Sequence, residues 1–135
     1  MLYLDLETYS DIDLKTVGAY IYAKASELML VGYALNDGTA KVWDATDGSV
    51  APYDLADALA SNCMIKGHNV GTFDRLIMLQ HFPQYKFPIE RWMDTQVLAL
   101  TCGLPMGLDA ACKAINMPDE FAKLKSDGRR LISTF

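Results

Sequence analysis

At 135 residues, with 51% hydrophobic content and a formal net charge of −5, the chain has the size and composition of one ordinary globular domain with a buried core. It holds no apolar run of 18 residues, which argues against a membrane-spanning helix, and Asp5 and Glu7 interrupt the short apolar start, which argues against a signal peptide. Cys63, Cys102 and Cys112 are odd in number and lack CxxC spacing, so reduced thiols in a cytosol are expected rather than disulfides or structural zinc.

An acidic balance at first argues against nucleic acid as a partner. The charge is unevenly spread, however. Residues 1–57 carry ten acids against Lys15, Lys24 and Lys41, a balance of −7. Residues 58–112 are neutral, and residues 113–135 carry Lys113, Lys123, Lys125, Arg129 and Arg130 against three acids, a balance of +2. A cluster of acids can hold cations, and bound cations invert the field that a phosphate meets. The charge is compatible with a nucleic-acid partner met through bound cations.

In chain order, residues 2–7 alternate apolar and polar side chains, the period of a strand. Residues 28–35 form a second apolar strand, and Asn36-Asp37-Gly38 is a hairpin signal leading into a third over residues 40–44. Residues 11–24 fit either a helical turn after Asp13 or, through Tyr20 and Tyr22, an extended segment. Pro52 suits the first turn of a helix with Leu55, Ala58 and Leu59 on its apolar stripe. Residues 64–67 read as a short buried strand. Thr72 is the expected cap of the next helix, in which Phe73, Leu76, Ile77 and Gln80 share a face. A short strand over residues 91–93 follows, then a helix opening at Asp94 or Thr95 and stopped by Gly103 and Pro105. Leu108, Ala111, Cys112 and Ile115 give a final clear helical stripe, and Pro118 marks one more start. Right-handed crossovers place the fourth and fifth strands parallel to the first, giving a mixed five-stranded sheet with helices on its faces. No repeat or linker divides the chain, so residues 1–135 are read as one domain.

On the first strand, Leu2, Leu4 and Leu6 point one way and Tyr3, Asp5 and Glu7 the other. Two carboxylates two residues apart on one face lie within reach of a common hard cation such as Mg²⁺. An ordinary solvated strand face explains an isolated Asp-x-Glu equally simply. The second acidic feature is Gly67-His68-Asn69-Val70-Gly71-Thr72-Phe73-Asp74, directly after a predicted strand. Asp74 can turn towards the first strand's carboxylates while Phe73 enters the core, and Asn69 can bond the turn or a bound strand. The bland reading is an acid favoured by the helix dipole in the first helical turn.

Taken together, Asp5-x-Glu7 and a later Asn-x-x-x-Phe-Asp resemble the first two motifs of the DEDD exonuclease superfamily. Residues 2–10, the Asp13-Leu14…Val17-Gly18-Ala19-Tyr20 stretch, Trp92-Met93-Asp94-Thr95 and Gly103-Leu104-Pro105…Leu108 resemble the N-terminal part of bacteriophage-type family A DNA polymerases, so the similarity covers the whole chain. The superfamily often has two residues between Asn and the aromatic; here there are three. The resemblance implies a ribonuclease-H-like α/β fold and 3′→5′ exonucleolytic proofreading beside a polymerase domain or chain, in a bacterial or infected-host cytoplasm. It also implies two Mg²⁺ or Mn²⁺ ions at Asp5, Glu7 and Asp74, with Asp5 bridging both, Glu7 helping to hold the first and Asp74 supporting the second. Thr8, Tyr9, Asn69 and Phe73 would meet the terminal nucleotide of a single-stranded DNA 3′ end.

The family also uses a fourth carboxylate, preceded four or five residues earlier by Tyr or His. Here the last acid is Asp127, with no Tyr after Tyr85 and no His after His81. The expectation is a truncated domain that hydrolyses slowly by itself and can dimerise through the face so exposed. Asp94 suits an N-cap or supporting role better than that of the fourth ligand. His68 suits packing or turn chemistry, Trp43 and Trp92 suit the core, and Lys123, Lys125, Arg129 and Arg130 suit either phosphate contacts or a solvated helical face. Two rival readings are a ribonuclease D-like exonuclease acting on RNA and a catalytically dead remnant that only binds nucleic acid or a partner.

Overall fold

Alternation in the first strand decides the architecture. In the computed structural model, which describes residues 1–121, β1 (Leu2–Tyr9) buries Leu2, Leu4 and Leu6 and exposes Tyr3, Asp5 and Glu7. Contacts divide the chain into two compact units, Met1–Thr95 and Gln96–Phe135. In the first unit, β1 pairs antiparallel with β2 (Glu27–Leu35), which turns at Asn36, held at φ 52°, and pairs antiparallel with β3 (Lys41–Asp44). On its other side β1 pairs in parallel with β4 (Ile65–Gly67), and β4 with β5 (Trp92–Asp94), giving the order β3-β2-β1-β4-β5. This is the expected mixed five-stranded sheet, of ribonuclease-H-like fold.

Helix α1 (Leu14–Ala25) occupies the segment whose pattern was ambiguous. Asp13 caps it through the Lys15 N–H, and Gly18, at φ 78° and ψ 165°, kinks it. A left-handed residue within a helix breaks the helical period, which is why Tyr20 and Tyr22 also fitted an extended segment. Pro52 stands just before α2 (Tyr53–Ala60), whose Leu55 and Leu59 are wholly buried. Thr72 does not cap the next helix. Residues Val70–Asp74 form a π-helical segment after Asn69, and α3 (Arg75–His81) continues it. The core comprises Leu2, Leu4, Leu6, Val31, Tyr33, Leu55, Leu59, Ile65, Val70, Ile77, Met78, Phe82, Phe87 and Trp92, with Trp43 packed against it, so both tryptophans serve the core.

Arg91, just before β5, is buried, and among the described residues it has no acidic partner. Its guanidinium donates to the carbonyls of Ala58, Leu59, Cys63 and Lys86 and lies over the Phe87 ring. Ala58 and Leu59 are in the last turn of α2, the negative end of its dipole, so a cation satisfies carbonyls the helix leaves open. Arg91→Met keeps the stem and removes the guanidinium from the Leu59, Cys63 and Lys86 carbonyls, while the Ala58 carbonyl keeps the Ser61 hydroxyl and the Cys63 thiol. Thermal unfolding should show a loss of about 2 kcal/mol; an unchanged midpoint would mean water satisfies those carbonyls equally well.

Helix α4 (Thr95–Thr101), which lies in the second unit from Gln96 on, ends ahead of Gly103, and Leu104 N–H bonds back to the Ala99 carbonyl. The expected stripe forms α5 (Leu108–Ala114), and a 3-10 turn, Asp119–Phe121, follows Pro118. Among the described residues no helix is long and apolar enough to cross a membrane. Lys123, Lys125, Asp127, Arg129 and Arg130 lie outside the described residues.

Candidate metal and nuclease site

Parallel pairing between β1 and β4 runs only from Leu2–Ile65 to Tyr3–Lys66. Beyond it, Gly67 presses against β1: a Cβ on this residue would stand 2.5 Å from the Leu4 carbonyl oxygen and would also collide with the Val70 side chain. The chain then turns through Asn69, in the left-handed region at φ 63°, into the π-helical segment. This turn carries the side chain of Asp74 back to β1, where its Oδ1 accepts the Leu6 N–H at 3.1 Å. Where β4 no longer supplies a ladder carbonyl, a carboxylate takes the place of one. π-helical turns are rare and concentrate at functional sites.

The Asp74 side chain is therefore buried, at 5% exposure, against the strand that carries Asp5 and Glu7. Burial foremost, and the neighbouring Asp5 carboxylate next, push its pKa from 3.8 up to about 7; Asp94 adds to this, while its own N–H and that of Leu6 oppose it. A carboxyl held this way lacks positive charge nearby. Asp5 and Glu7 lie exposed on the face of β1 away from the core. Directly after Glu7 the pairing register with β2 shifts, from Glu7–Leu30 to Thr8–Leu28, a bulge of the kind that re-aims side chains beside sites. What the structure brings together is thus Asp74 and the Asp5 position, with Glu7 one pleat further along the same face. Among the described residues no three His, Cys, Asp or Glu side chains gather as a ready ion-binding cluster. In kind, the donor set fits a hard divalent cation: all-oxygen, anionic, and with one buried member favouring a counter-charge.

The four expected nucleotide-contacting residues divide into two groups. Thr8 and Phe73 meet through Tyr22 of α1, whose hydroxyl lies 3.2 Å from Thr8 Oγ1 and whose ring lies 5.7 Å from that of Phe73. Tyr22 had no place in the sequence reading of the site, because the kinked helix hid its face. Tyr9 is half exposed and donates its hydroxyl to Asp11 at 2.7 Å, which raises the phenol's pKa. Asn69 accepts the Thr72 hydroxyl on its Oδ1 at 2.9 Å, so its side chain braces the turn.

Asp94 is the residue sequence reasoning placed only loosely. Its Oδ1 accepts the Asn69 N–H at 2.8 Å and its Oδ2 the Gly71 N–H at 3.0 Å, so it supports the turn rather than standing in as a fourth ligand. The adjoining Thr95 hydroxyl donates to the Gly67 carbonyl at 3.0 Å and lies 3.1 Å from His68 Nδ1. His68 thus does the turn chemistry expected of it.

No protein-family model matches the chain. Over 136 aligned residues it is 35% identical to a DNA polymerase of Bacillus phage SP02, an alignment covering 99% of this chain and 20% of that protein. Among solved structures it superposes on Brucella melitensis NrnC bound to pGG with a TM-score of 0.62 at 20% identity, covering 92% of this chain and 54% of that one. A structure described as the apo form of a nuclease gives a TM-score of 0.64 at 21% identity, covering 93% and 55%. Brucella melitensis NrnC with bound Mg²⁺ gives 0.58 at 20% identity, covering 98% and 63%. The chain spans about a fifth of the phage polymerase's length. At these identities the solved structures establish the fold, and the resemblance to a bacteriophage DNA polymerase holds along the whole chain.

Proposed function

We propose that residues 1–135 form one 3′→5′ exonuclease domain of a phage-type DNA polymerase, a hydrolase that trims the 3′ end of single-stranded DNA beside a polymerase domain or chain. Asp74 carries the reading: a buried carboxylate drawn onto the strand of Asp5 and raised to a pKa of about 7 by burial and by that neighbour. Such a pair is costly without a counter-ion and favourable with one. Asp5, Glu7 and Asp74 would hold Mg²⁺ or Mn²⁺. Divalent cations at this position would supply Lewis acidity to the scissile phosphate and to the attacking water. The chain's own part is electrostatic and geometric. Asp74, fixed by the Leu6 N–H, holds its negative charge in one place, and the exposed face of β1 leaves Asp5 and Glu7 accessible to a phosphodiester. Thr8, Tyr9, Asn69 and Phe73 would position the terminal nucleotide. Mg²⁺ bound in one Brucella NrnC structure and pGG bound in another agree in kind with such a site.

The 135 residues contain no Tyr-x-x-x-Asp or His-x-x-x-Asp after Tyr85. The chain alone should therefore trim 5′-labelled single-stranded DNA about 10²–10³-fold more slowly than a longer protein that carries this motif, as expected for the loss of one preorganised charge. Products should shorten from the 3′ end, require Mg²⁺ or Mn²⁺ and vanish with EDTA. Faster trimming of matched RNA would favour the ribonuclease D-like alternative. Strand binding with no product from either protein at any Mn²⁺ concentration would overturn the exonuclease reading in favour of a binding remnant.

A further inference from the structure

We infer that Asp94 is a positioning residue: by clamping two N–H groups of the turn after β4, it sets how the Asp74 carboxylate meets β1. The inference rests on the metal-site reading above. Parallel pairing puts Asp94 beside Gly67, at the point where β4 ends and the turn begins. The turn cannot satisfy its own amides, because a left-handed Asn69 and the first residues of a helical segment leave N–H groups without intrahelical acceptors. Asp94 takes two of them, Asn69 N–H on one oxygen and Gly71 N–H on the other.

Asp74 lies three residues beyond Gly71 in the same π-helical segment, and its bond to Leu6 reaches from that segment to β1. Shifting the turn therefore moves Asp74. Next door, the Thr95 hydroxyl fixes the Gly67 carbonyl, so consecutive residues at the end of β5 hold both sides of the same bend. The two oxygens of Asp94 meet protein amides of the turn, which makes it a support for Asp74. In Asp94→Asn one acceptor becomes a donor, and one amide of the pair faces it unsatisfied.

The test uses the full chain, with Mn²⁺ as the probe. Asp94→Asn should weaken Mn²⁺ binding, followed by electron paramagnetic resonance, by about tenfold or more, the scale for residues that orient ligands. Without metal, hydrogen exchange at the Asn69, Gly71 and Leu6 amides should accelerate together, Leu6 reporting the displaced Asp74. Asp94→Ala should do the same; if it fails to fold, Asp94→Asn remains the decisive variant. A residue serving stability alone would lower the melting temperature with Mn²⁺ affinity and Leu6 exchange unchanged, and that result overturns the inference. If the wild-type chain takes up no Mn²⁺, the metal-site reading falls. The amides then decide the positioning of Asp74, and exchange at Leu6 unchanged in the variant overturns it.

Discussion

Asp74→Asn should make the metal-free chain more stable at pH 8 and, in the same step, abolish its response to divalent cations. Asp74 has a folded-state pKa of about 7 against an ordinary 3.8. The folded chain therefore holds this proton more tightly than the unfolded chain, and between those two pH values folding takes up protons. Linkage then requires stability to fall as pH rises through that window. Below about pH 4 Asp74 is protonated in both states and costs nothing; above about pH 7 it is ionised in both and the full penalty is present, on the order of 2–4 kcal/mol. Asparagine removes the charge yet keeps an oxygen for the Leu6 N–H. Melting curves at pH 8 in EDTA should rise by roughly 10 °C, while the two proteins should melt alike near pH 4. Added Mg²⁺ should stabilise wild type, since ligand bound only by the folded state adds stability, and leave the variant unmoved. Nuclease activity of a longer protein should fall about 10²–10³-fold. A variant less stable than wild type at pH 8 that still responds to Mg²⁺ would show that the carboxylate is structural and does not meet an ion.

Gly67→Ala should be the most disruptive single-methyl change on the sheet, at about 3 kcal/mol. The added carbon would stand 2.5 Å from the Leu4 carbonyl oxygen and would overlap the Val70 side chain. Neither neighbour can yield: Leu4 is in the central strand, and Val70 is wholly buried. Either β4 separates from β1 or the turn to Asp74 is pushed outwards, so stability and Mg²⁺ response should fall together. Gly107→Ala is the control, because a Cβ there meets nothing within 4 Å. A Gly67→Ala chain melting within a degree or two of wild type would mean that β1 and β4 are not so closely apposed.

The parts of this architecture legible in the sequence are those set by short-range pattern. Two-residue alternation in residues 2–7 gave β1 and its acidic face, and Asn36-Asp37-Gly38 gave the hairpin to β3, because both depend on residues adjacent in the chain. The helix at α1 stayed ambiguous because Gly18 breaks its period midway. The π-helical turn was not legible at all. It exists because Asp94, some 25 positions later, accepts its amides, and because Gly67 lets two strands approach; neither condition shows in a local window. Thr72 looked like a cap for the same reason, since a helix was expected to open there and the turn had already begun at Val70. Arg91 likewise reads as an ordinary basic residue until α2 brings its open carbonyls to it.

Because one carboxylate fills a rung of the sheet, a domain of this architecture that lost the proposed cleavage would still be constrained at that position. Position 74 must keep an acceptor for the Leu6 amide whether or not an ion is ever bound, so descendants that have lost their chemistry should retain Asp, or exchange it for Asn, to keep the backbone paired. Asp5 projects from the exposed face and, in the proposed site, would answer to the ion instead. Within this architecture, silent members should betray themselves first at residue 5.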